Sequence, residues 1–308
     1  MKDKLEFLQS KGNYKKKKLR NDTYLLEFSD GTKQIYKENR IKDGFSGLIK
    51  KLFIKGSVSY INELSFYRYI SGNENYNYFK FPQFHYGNNK YLVIGYIDGK
   101  LGLDDNVEPQ VITRTMLEFQ VNNRNFKKKM ENKLINYVTR KYIFRIPRSI
   151  YRIFIKTKNW RLVKDSLILL FTLSKTEKKQ KLDYLLHNDI MNIFTNREGY
   201  ILLFDFETIQ FERKWILTDI IELCLDFDTL DFDFKLFQLY CEELKIREKI
   251  KFDECSQLRF GLFRVILLII ESKSKREYNY SSCKYYHFLI SNIFSDSGFK
   301  EWYFRDIS

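Results

Sequence analysis

Three residues with side-chain oxygen donors follow apolar segments in the C-terminal half of the sequence: Asp189, Asn192 and Asp205. Carboxylates and amides would be costly there if they were simply buried in a core. They suit a hard divalent cation, and Mg²⁺ is the usual choice when phosphates supply the remaining ligands. Phosphoryl transfer needs such a metal to neutralise phosphate charge, and one carboxylate to accept the proton of the attacking hydroxyl. These residue types therefore favour a Mg²⁺ site of the kind that phosphoryl transfer needs.

A β-hairpin is expected to bring these side chains together. Met191–Thr195 and Tyr200–Phe204 have the composition of strands, and the residues between them form a turn that ends in glycine. If the last residue of the first strand pairs with the first residue of the second, Ile190 lies opposite Asp205. The three oxygen-donor side chains then converge at one end of a two-stranded ribbon.

The same two segments resemble the catalytic and metal-binding loops of the aminoglycoside phosphotransferase and choline kinase superfamily. The pattern of that family is His-x-Asp, then an asparagine, then a strand that ends in an aspartate, an aromatic residue and an acid. His187-Asn188-Asp189 with Asp205-Phe206-Glu207 is particularly similar to the choline/ethanolamine kinase branch. In the family the asparagine usually lies five positions after the catalytic aspartate, whereas Asn192 lies three positions after Asp189. The following strand still aligns, which favours a deletion inside the loop.

The resemblance implies a role for each residue of the pattern. Asp189 would be the catalytic base, and Asn192 and Asp205 would be the Mg²⁺ ligands. His187 would brace the loop, and Asp219 would match the structural aspartate of the helix that follows. Glu207 would lie beside the metal or the substrate.

The N-terminal half has the pattern of a small sheet with one helix. Thr23–Phe28 and Lys33–Glu38 are predicted to form a hairpin, because an Asp-Gly pair lies between two short apolar runs. Val58–Ile70 has apolar residues at helical spacing. Phe81–Phe84 and Tyr91–Ile97 are predicted as two further strands.

A lysine and a glutamate in this half are in the order that a kinase needs. Kinases hold the nucleotide phosphates with a strand lysine that a helix glutamate supports. Lys37 lies on the same strand face as Ile35, with Lys33 as the alternative, and Glu63 lies in the predicted helix. Both are therefore predicted to serve the nucleotide.

Two further features of the N-terminal half bear on nucleotide binding. The segment Gly95-Tyr96-Ile97 resembles the strand and hinge that hold adenine through main-chain hydrogen bonds. Gly12 is the only glycine near the start, where a glycine-rich phosphate loop is expected. Lys15–Lys18 would supply charge in place of close backbone approach to the phosphates, but a solvated basic turn is the preferred interpretation.

The rest of the chain is predicted to be mainly helical. Val111–Asn122, Lys128–Tyr137 and Trp160–Leu173 all have helical apolar patterns. This order of elements predicts a small β-rich lobe and a larger helical lobe, and with the resemblance it implies an α+β, two-lobed, protein-kinase-like fold. Residues 1–98 would form a small β-rich nucleotide-binding lobe, and residues 99–308 a larger helical lobe that carries the catalytic and metal-binding loops and the acceptor site.

The composition excludes several classes of protein. The 308-residue chain is 44% hydrophobic and 30% charged, as folded globular proteins are. Its four cysteines form no CxxC pair and do not cluster with the three histidines, so neither a structural zinc site nor a disulfide framework is predicted. The N-terminus lacks the apolar core of a signal peptide, and the apolar runs are too short to span a bilayer. We therefore expect a cytoplasmic protein.

The net charge of +15 is spread along the chain and is interpreted mainly as a solvated basic surface. The basic, aromatic stretch Asn123–Arg161 leaves three interpretations open. It is a helical insertion with a solvated face, or a segment that rests on an anionic membrane, which would suit a lipid-linked glycan substrate. The third interpretation, nucleic-acid binding, has no recognised motif in its favour. A peripheral location at the inner membrane face is thus left open.

The predicted activity is transfer of the γ-phosphate of ATP, or of GTP, to a hydroxyl of a small molecule. The resemblance implies the acceptors: choline-like amino alcohols come first, followed by aminoglycosides and sugars of surface glycans. The acidic cluster at Asp226, Asp228, Asp231 and Asp233 would suit a cationic acceptor, although a solvated loop with helix caps is the simpler interpretation. Because the catalytic loop is short, a pseudokinase that binds nucleotide or acts as a scaffold is the alternative, and a basic membrane- or nucleic-acid-associated protein is a third hypothesis.

Overall fold

The computed structural model describes residues 12–20, 22–39, 58–72, 76–88, 90–101, 107–126, 146–147, 149–155, 158–188, 190, 193–196, 200–272 and 284–305. These residues form two compact units. One takes in the described residues of Met1–Val107 and Asn192–Ile209, and the other those of Glu108–Met191 and Gln210–Ser308. The lobe boundary predicted at residue 98 stays a prediction.

An antiparallel five-stranded sheet forms the main part of the first unit. Its strand order is β1-β2-β3-β5-β4, with β1 Tyr14–Arg20, β2 Thr23–Phe28, β3 Lys33–Glu38, β4 Phe84–Gly87 and β5 Tyr91–Gly95. Leu26, Tyr36 and Val93 are buried on one face of this sheet together with their neighbours in the same cluster. The predicted hairpin of β2 and β3 is confirmed, and Gly31 in its turn has the positive φ that glycine adopts readily.

The basic turn predicted at Lys15–Lys18 is wrong, because these residues lie within strand β1. β1 is an edge strand of the sheet, where lysines are common because one side of the strand is not paired. Lys16 Nζ lies 3.7 Å from the ring centroid of Tyr24, so the charge packs over an aromatic face. The two later strands are also displaced from the prediction: Phe84–Gly87 replaces Phe81–Phe84, and β5 ends at Gly95.

Helix α1, Val58–Ile70, has the predicted bounds. It packs against β4, where an added Cβ on Gly87 would lie only 2.2 Å from Cδ1 of Leu64. This close approach needs glycine at residue 87, and it fixes the distance of the helix from the edge of the sheet.

A second, three-stranded sheet in the first unit contains the predicted hairpin. Its strands are β6 Gly99–Leu101, β8 Ile193–Asn196 and β9 Ile201–Leu203, in the order β6-β8-β9. The predicted register is wrong, since Thr195 pairs with Ile201 rather than with Tyr200. The observed register places buried Ile193 opposite buried Leu203, so the apolar side chains share one face.

The second unit is mainly helical. In the described part of this unit, β7 Tyr184–Leu186 and β10 Gln210–Glu212 form a two-stranded sheet. The named helices are α2 Pro109–Asn122, α3 Trp160–Thr176, α4 Thr218–Cys224, α5 Phe234–Glu248, α6 Glu254–Ser272 and α7 Asp296–Arg305. Residues 149–155 and 284–288 are also helical. α2 packs on α5, and α6 packs on α4. The helix predicted at Lys128–Tyr137 lies outside the described residues. None of the described helices combines the length and apolar character that crossing a bilayer requires.

Candidate active site

One ammonium and three carboxylates of the first unit form a compact group, here named the Lys37 cluster. Lys37 Nζ lies 2.8 Å from Oε2 of Glu63, 2.6 Å from Oδ1 of Asp205 and 3.0 Å from Oε1 of Glu207. One carboxylate oxygen from each acid lies within 4.8 Å of the others. The group has a formal excess of two negative charges, so its charge is complementary to a divalent cation.

The sheet and helix α1 position the first two members of the cluster. Lys37 pairs with Thr23 of β2 and with Leu92 of β5, so its backbone is fixed on both sides. Glu63 is 1% exposed in α1. A carboxylate is rarely so buried unless it is paired, and here both of its oxygens accept hydrogen bonds from Lys37 Nζ.

Phe206 anchors the other two acids. Its ring lies 4.6 Å from that of Phe66 and 5.1 Å from that of Tyr67, measured between centroids, and both partners belong to α1. Asp205 has φ 60° and ψ 55°, a left-handed conformation that aspartate tolerates better than most residues. This bend after β9 leads into the 3₁₀ turn Phe206–Thr208, which carries Glu207. A buried aromatic between two acids therefore holds both carboxylates beside Lys37.

Burial and charge act in opposite directions on the ionisable groups of the cluster. Burial alone would lower the pKa of Lys37, but the carboxylates, Glu63 first among them, outweigh it and raise the pKa well above its ordinary value. Burial raises the pKa of Glu63 to about 7, against the opposing effect of Lys37. The lysine is therefore a permanent cation, while Glu63 titrates near neutral pH.

The donor set fits a magnesium ion in its chemistry. Asp205 and Glu207 offer hard carboxylate oxygens, and both side chains are partly exposed. Asn192, the other predicted metal ligand, lies outside the described residues. So does Asp189, the predicted catalytic base.

The loop that leads to Asp189 is held by Asp219 in the second unit. Asp219 is fully buried, and its carboxylate accepts the backbone N–H of His187 at 2.6 Å and that of Asn188 at 3.0 Å. Asn188 has φ 62°, a left-handed conformation that asparagine adopts more readily than most residues. His187 is buried, and its ring centroid lies 5.9 Å from that of Phe119. His187 and Asp219 thus lie together at the base of the loop.

Arg264 contacts this loop, and it is not among the residues predicted from the sequence. It is 1% exposed on α6, and its Nη2 donates to Oδ1 of Asn188 at 3.0 Å. A buried guanidinium is costly unless it is paired and hydrogen-bonded. The signal was present in the sequence, since Arg264 interrupts an otherwise apolar helical run, from Phe260 to Ile270.

The segment predicted to hold adenine uses part of its main chain internally. The N–H of Gly95 donates to the carbonyl of Gln83 at 2.7 Å, and that of Tyr96 donates to Lys33 at 3.4 Å. Recognition of a base by this segment would therefore depend on its other main-chain groups, including those of Ile97. Gly12, the glycine nearest to the expected phosphate loop, precedes β1. It therefore lies outside the connection between β1 and β2, which joins Arg20 to Thr23.

The acidic cluster after α4 is organised by its own hydrogen bonds. Asp226 Oδ1 accepts the N–H of Asp228 at 2.6 Å and that of Thr229 at 3.2 Å. Asp233 caps α5 by accepting the N–H of Leu236 at 3.0 Å. These contacts are those of a capped loop.

Comparison with known proteins supports the fold. No family model matches the sequence, and no curated protein matches it. Solved structures with similar folds include an aminoglycoside phosphotransferase from Alicyclobacillus acidocaldarius, with a TM-score of 0.51 and 12% identity over 92% of this chain and 93% of that one. The ternary complex of APH(2″)-IIa with streptomycin and ATP gives a TM-score of 0.53 and 13% identity over 91% and 93% of the two chains. Choline kinase LicA from Streptococcus pneumoniae gives 0.51 and 12% identity over 94% and 98%. The chain thus has the protein-kinase-like fold of the aminoglycoside phosphotransferases and choline kinases, and the α+β fold class predicted from the sequence is confirmed.

Proposed function

We propose that this protein is a small-molecule phosphotransferase that moves the γ-phosphoryl group of ATP to a hydroxyl of its acceptor. The observation that carries the proposal is the Lys37 cluster, in which a strand lysine contacts both a buried helix glutamate and the acid after β9. Kinases need such a lysine for the nucleotide phosphates and such an acid for the metal. Solved structures with this fold include one with ATP and streptomycin bound, which supports ATP as the phosphate donor.

In the proposed reaction each residue of the site has a defined task. Lys37, oriented by Glu63, binds the nucleotide phosphates. Asp189 accepts the proton of the acceptor hydroxyl while that oxygen bonds to the γ-phosphorus, and the bond from phosphorus to the β,γ-bridging oxygen breaks to release ADP. Asp205, with Asn192 and with Glu207 beside it, would hold Mg²⁺, which neutralises charge on the phosphates.

The proposed acceptors keep the order predicted from the sequence. Choline-like amino alcohols come first, then aminoglycosides and glycan sugars. Both a choline kinase and aminoglycoside phosphotransferases have this fold, which favours a small polar acceptor with a hydroxyl group. A fold does not by itself determine the substrate.

The test is release of ADP from ATP by the purified protein with Mg²⁺, across a panel of amino alcohols, aminoglycosides and sugars. We expect acceptor-dependent turnover that falls by about 10²–10⁴-fold in Asp189→Ala, the usual range for loss of a general base. Glu301→Ala removes an exposed acid from α7, away from the residues proposed for the site, and serves as the matched control. Binding of ATP without turnover for any acceptor would favour the pseudokinase alternative, which the three-residue spacing of Asp189 and Asn192 motivates. Absence of nucleotide binding would overturn the proposal.

A further inference from the structure

Large apolar side chains are exposed unevenly over the described residues. Fourteen of them are exposed, and six lie between residues 151 and 171. These six form what we call the outer face: Tyr151, Ile155, Trp160, Leu167, Ile168 and Phe171. Single exposed apolar residues are normal, but a concentration of them marks an interaction site.

Helix α3 has two apolar faces. Leu162, Leu169 and Leu173 are buried in the second unit. Trp160 and Phe171 are 70% and 67% exposed. Because a helix completes a turn in about 3.6 residues, these two residues and Leu167 and Ile168 project roughly opposite to the buried set. The outer side of α3 is therefore apolar, and it stays exposed among the residues that the structure describes.

The preceding helical segment, 149–155, also has large apolar side chains exposed to solvent. Ile150 and Ile153 are buried, while Tyr151 and Ile155 are exposed. Lys158 has φ 54°, and its N–H donates to the carbonyl of Phe154 at 2.7 Å. The ring centroid of Trp160 lies 4.2 Å from that of Phe154. Buried side chains thus anchor both the segment and α3, and the contact of Phe154 with Trp160 joins the two.

The charge around the outer face is strongly positive. Residues 151–182 contain nine lysines and arginines and two acids. One of the acids, Glu177, is buried, and the other, Asp165, lies 3.6 Å from Arg161. The lysines at 164 and 175 are exposed on the same side of α3 as Phe171. This combination of exposed aromatic and aliphatic side chains with flanking lysines is that of helices which lie in the plane of a membrane interface.

We propose that the outer face docks the protein on an anionic lipid surface. The aromatic and aliphatic side chains would enter the interface, and the lysines would contact anionic headgroups. A second copy of the chain is a poorer occupant, because a symmetric contact would bring the same lysines together. RNA would pair with the positive charge, but its phosphates would not bury the exposed side chains of Leu167 and Ile168. The proposal does not depend on phosphotransfer.

The test is co-sedimentation of the full-length protein with vesicles. Vesicles of phosphatidylcholine alone are compared with vesicles that contain about one third phosphatidylglycerol. We expect binding to the anionic vesicles, and a loss of at least about tenfold in the partition coefficient for Trp160→Gln/Phe171→Gln. The matched control is Ile246→Gln/Phe304→Gln, whose side chains are 77% and 58% exposed on other helices. It should bind like the wild type.

A charge series and a fluorescence signal separate the outcomes. Lys164→Gln/Lys175→Gln should weaken binding by about fivefold per lysine, because each basic residue near an anionic surface contributes about 1 kcal/mol. The control Lys235→Gln/Lys249→Gln, at exposed positions on and after α5, should not weaken binding. Trp160 is the most exposed of the three tryptophans, so its emission should shift to the blue on binding, and Trp160→Phe should remove the shift while leaving binding.

Three results would overturn the proposal. The first is equal binding by wild type and the Trp160/Phe171 double variant. The second is binding to RNA but to neither kind of vesicle. The third is a dimer in light scattering that the double variant dissociates, without any vesicle binding, since the outer face would then be an interface between copies.

Discussion

Lys37 and Asp205 are 168 positions apart in the sequence, and Nζ of the first lies 2.6 Å from Oδ1 of the second. The lysine comes from a central strand of the five-stranded sheet, and the aspartate follows the last strand of the three-stranded sheet. The same ammonium also contacts the buried Glu63. This lysine therefore links three elements of the first unit. Its replacement should lower both the free energy of unfolding and the rate of phosphoryl transfer.

Lys37→Met is predicted to destabilise the protein and to abolish transfer. The substitution leaves Glu63 buried without its cation, and removal of one partner of a buried ion pair typically costs about 3–5 kcal/mol. The double variant Lys37→Met/Glu63→Gln should regain most of the lost free energy of unfolding, because the buried charge is gone, yet remain inactive. Urea unfolding and ADP release measure the two effects. Recovery of activity along with stability would show that Lys37 has only a structural role.

The stability of the protein should fall as the pH rises from about 4.5 to about 7. Burial raises the pKa of Glu63 to about 7 from an ordinary value of 4.5. In this range the folded state binds more protons than the unfolded state, so the free energy of unfolding decreases with pH. We expect Glu63 to account for a loss of about 1–3 kcal/mol. Urea unfolding at pH 5 and pH 8 should show a smaller difference for Glu63→Gln than for the wild type; an equal difference would assign the change to other groups.

Arg264→Met is predicted to lower the turnover of the folded protein, because the guanidinium holds Asn188 beside the predicted base. Arg264 acts through the loop and not on substrate, so the expected change is in kcat, with little change in the KM for ATP. Arg259 is the matched control: it is also buried on α6, but its guanidinium donates to the carbonyl of Ile293 at 2.7 Å and to Asp296 at 2.6 Å.

Both arginine variants should be destabilised, and both should be assayed where they are fully folded. Arg259→Met should then retain the kcat of the wild type, and Arg264→Lys should recover part of it. If the two methionine variants lose kcat to the same extent, Arg264 has no special relation to the loop.

Gly261→Ala is predicted to destabilise the second unit by overpacking. An added Cβ would lie 2.4 Å from Cδ1 of Ile221 on α4, a contact that requires the helices to shift. Such insertions into a packed interface typically cost about 1–3 kcal/mol. Ile221→Val removes Cδ1 and should recover part of the loss in the double variant. Gly72→Ala, where the nearest atoms are backbone oxygens at 3.8 and 3.9 Å, should change little. Equal costs for the two alanines would rule out the packing explanation.

Elements with strong local signals were predicted well from the sequence. The Asp-Gly turn gave strands β2 and β3, and the spacing of apolar residues gave helix α1 with its observed bounds. Lys37 and Glu63 were recognised because each lies inside one of these elements. Their contact with each other agrees with the roles proposed for them, which remain to be tested by mutation.

Features set by tertiary contacts were missed. The register of β8 and β9 differs by one residue from the prediction. The turn alone does not set this register, because it also depends on burying Ile193 and Leu203 on one face. Strand β1 replaces the predicted turn, because its lysines lack the apolar alternation of a strand and only the pairing with β2 defines it. Arg264 was overlooked because its partner, Asn188, lies 76 positions away and only the fold brings them together.

The pairing of β6 with β8 has a consequence for how the chain is made. Gly99–Leu101 pairs with residues near 195, so some ninety residues must be added before β6 has a partner. At synthesis rates of about 5–20 residues per second, this is a wait of roughly 5–20 seconds. During that time the three-stranded sheet of the first unit cannot form, and Lys37 lacks its contact with Asp205. A ribosome-bound fragment that stops at residue 107 should therefore be readily digested by protease, and resistance should develop only after residue 209 has emerged.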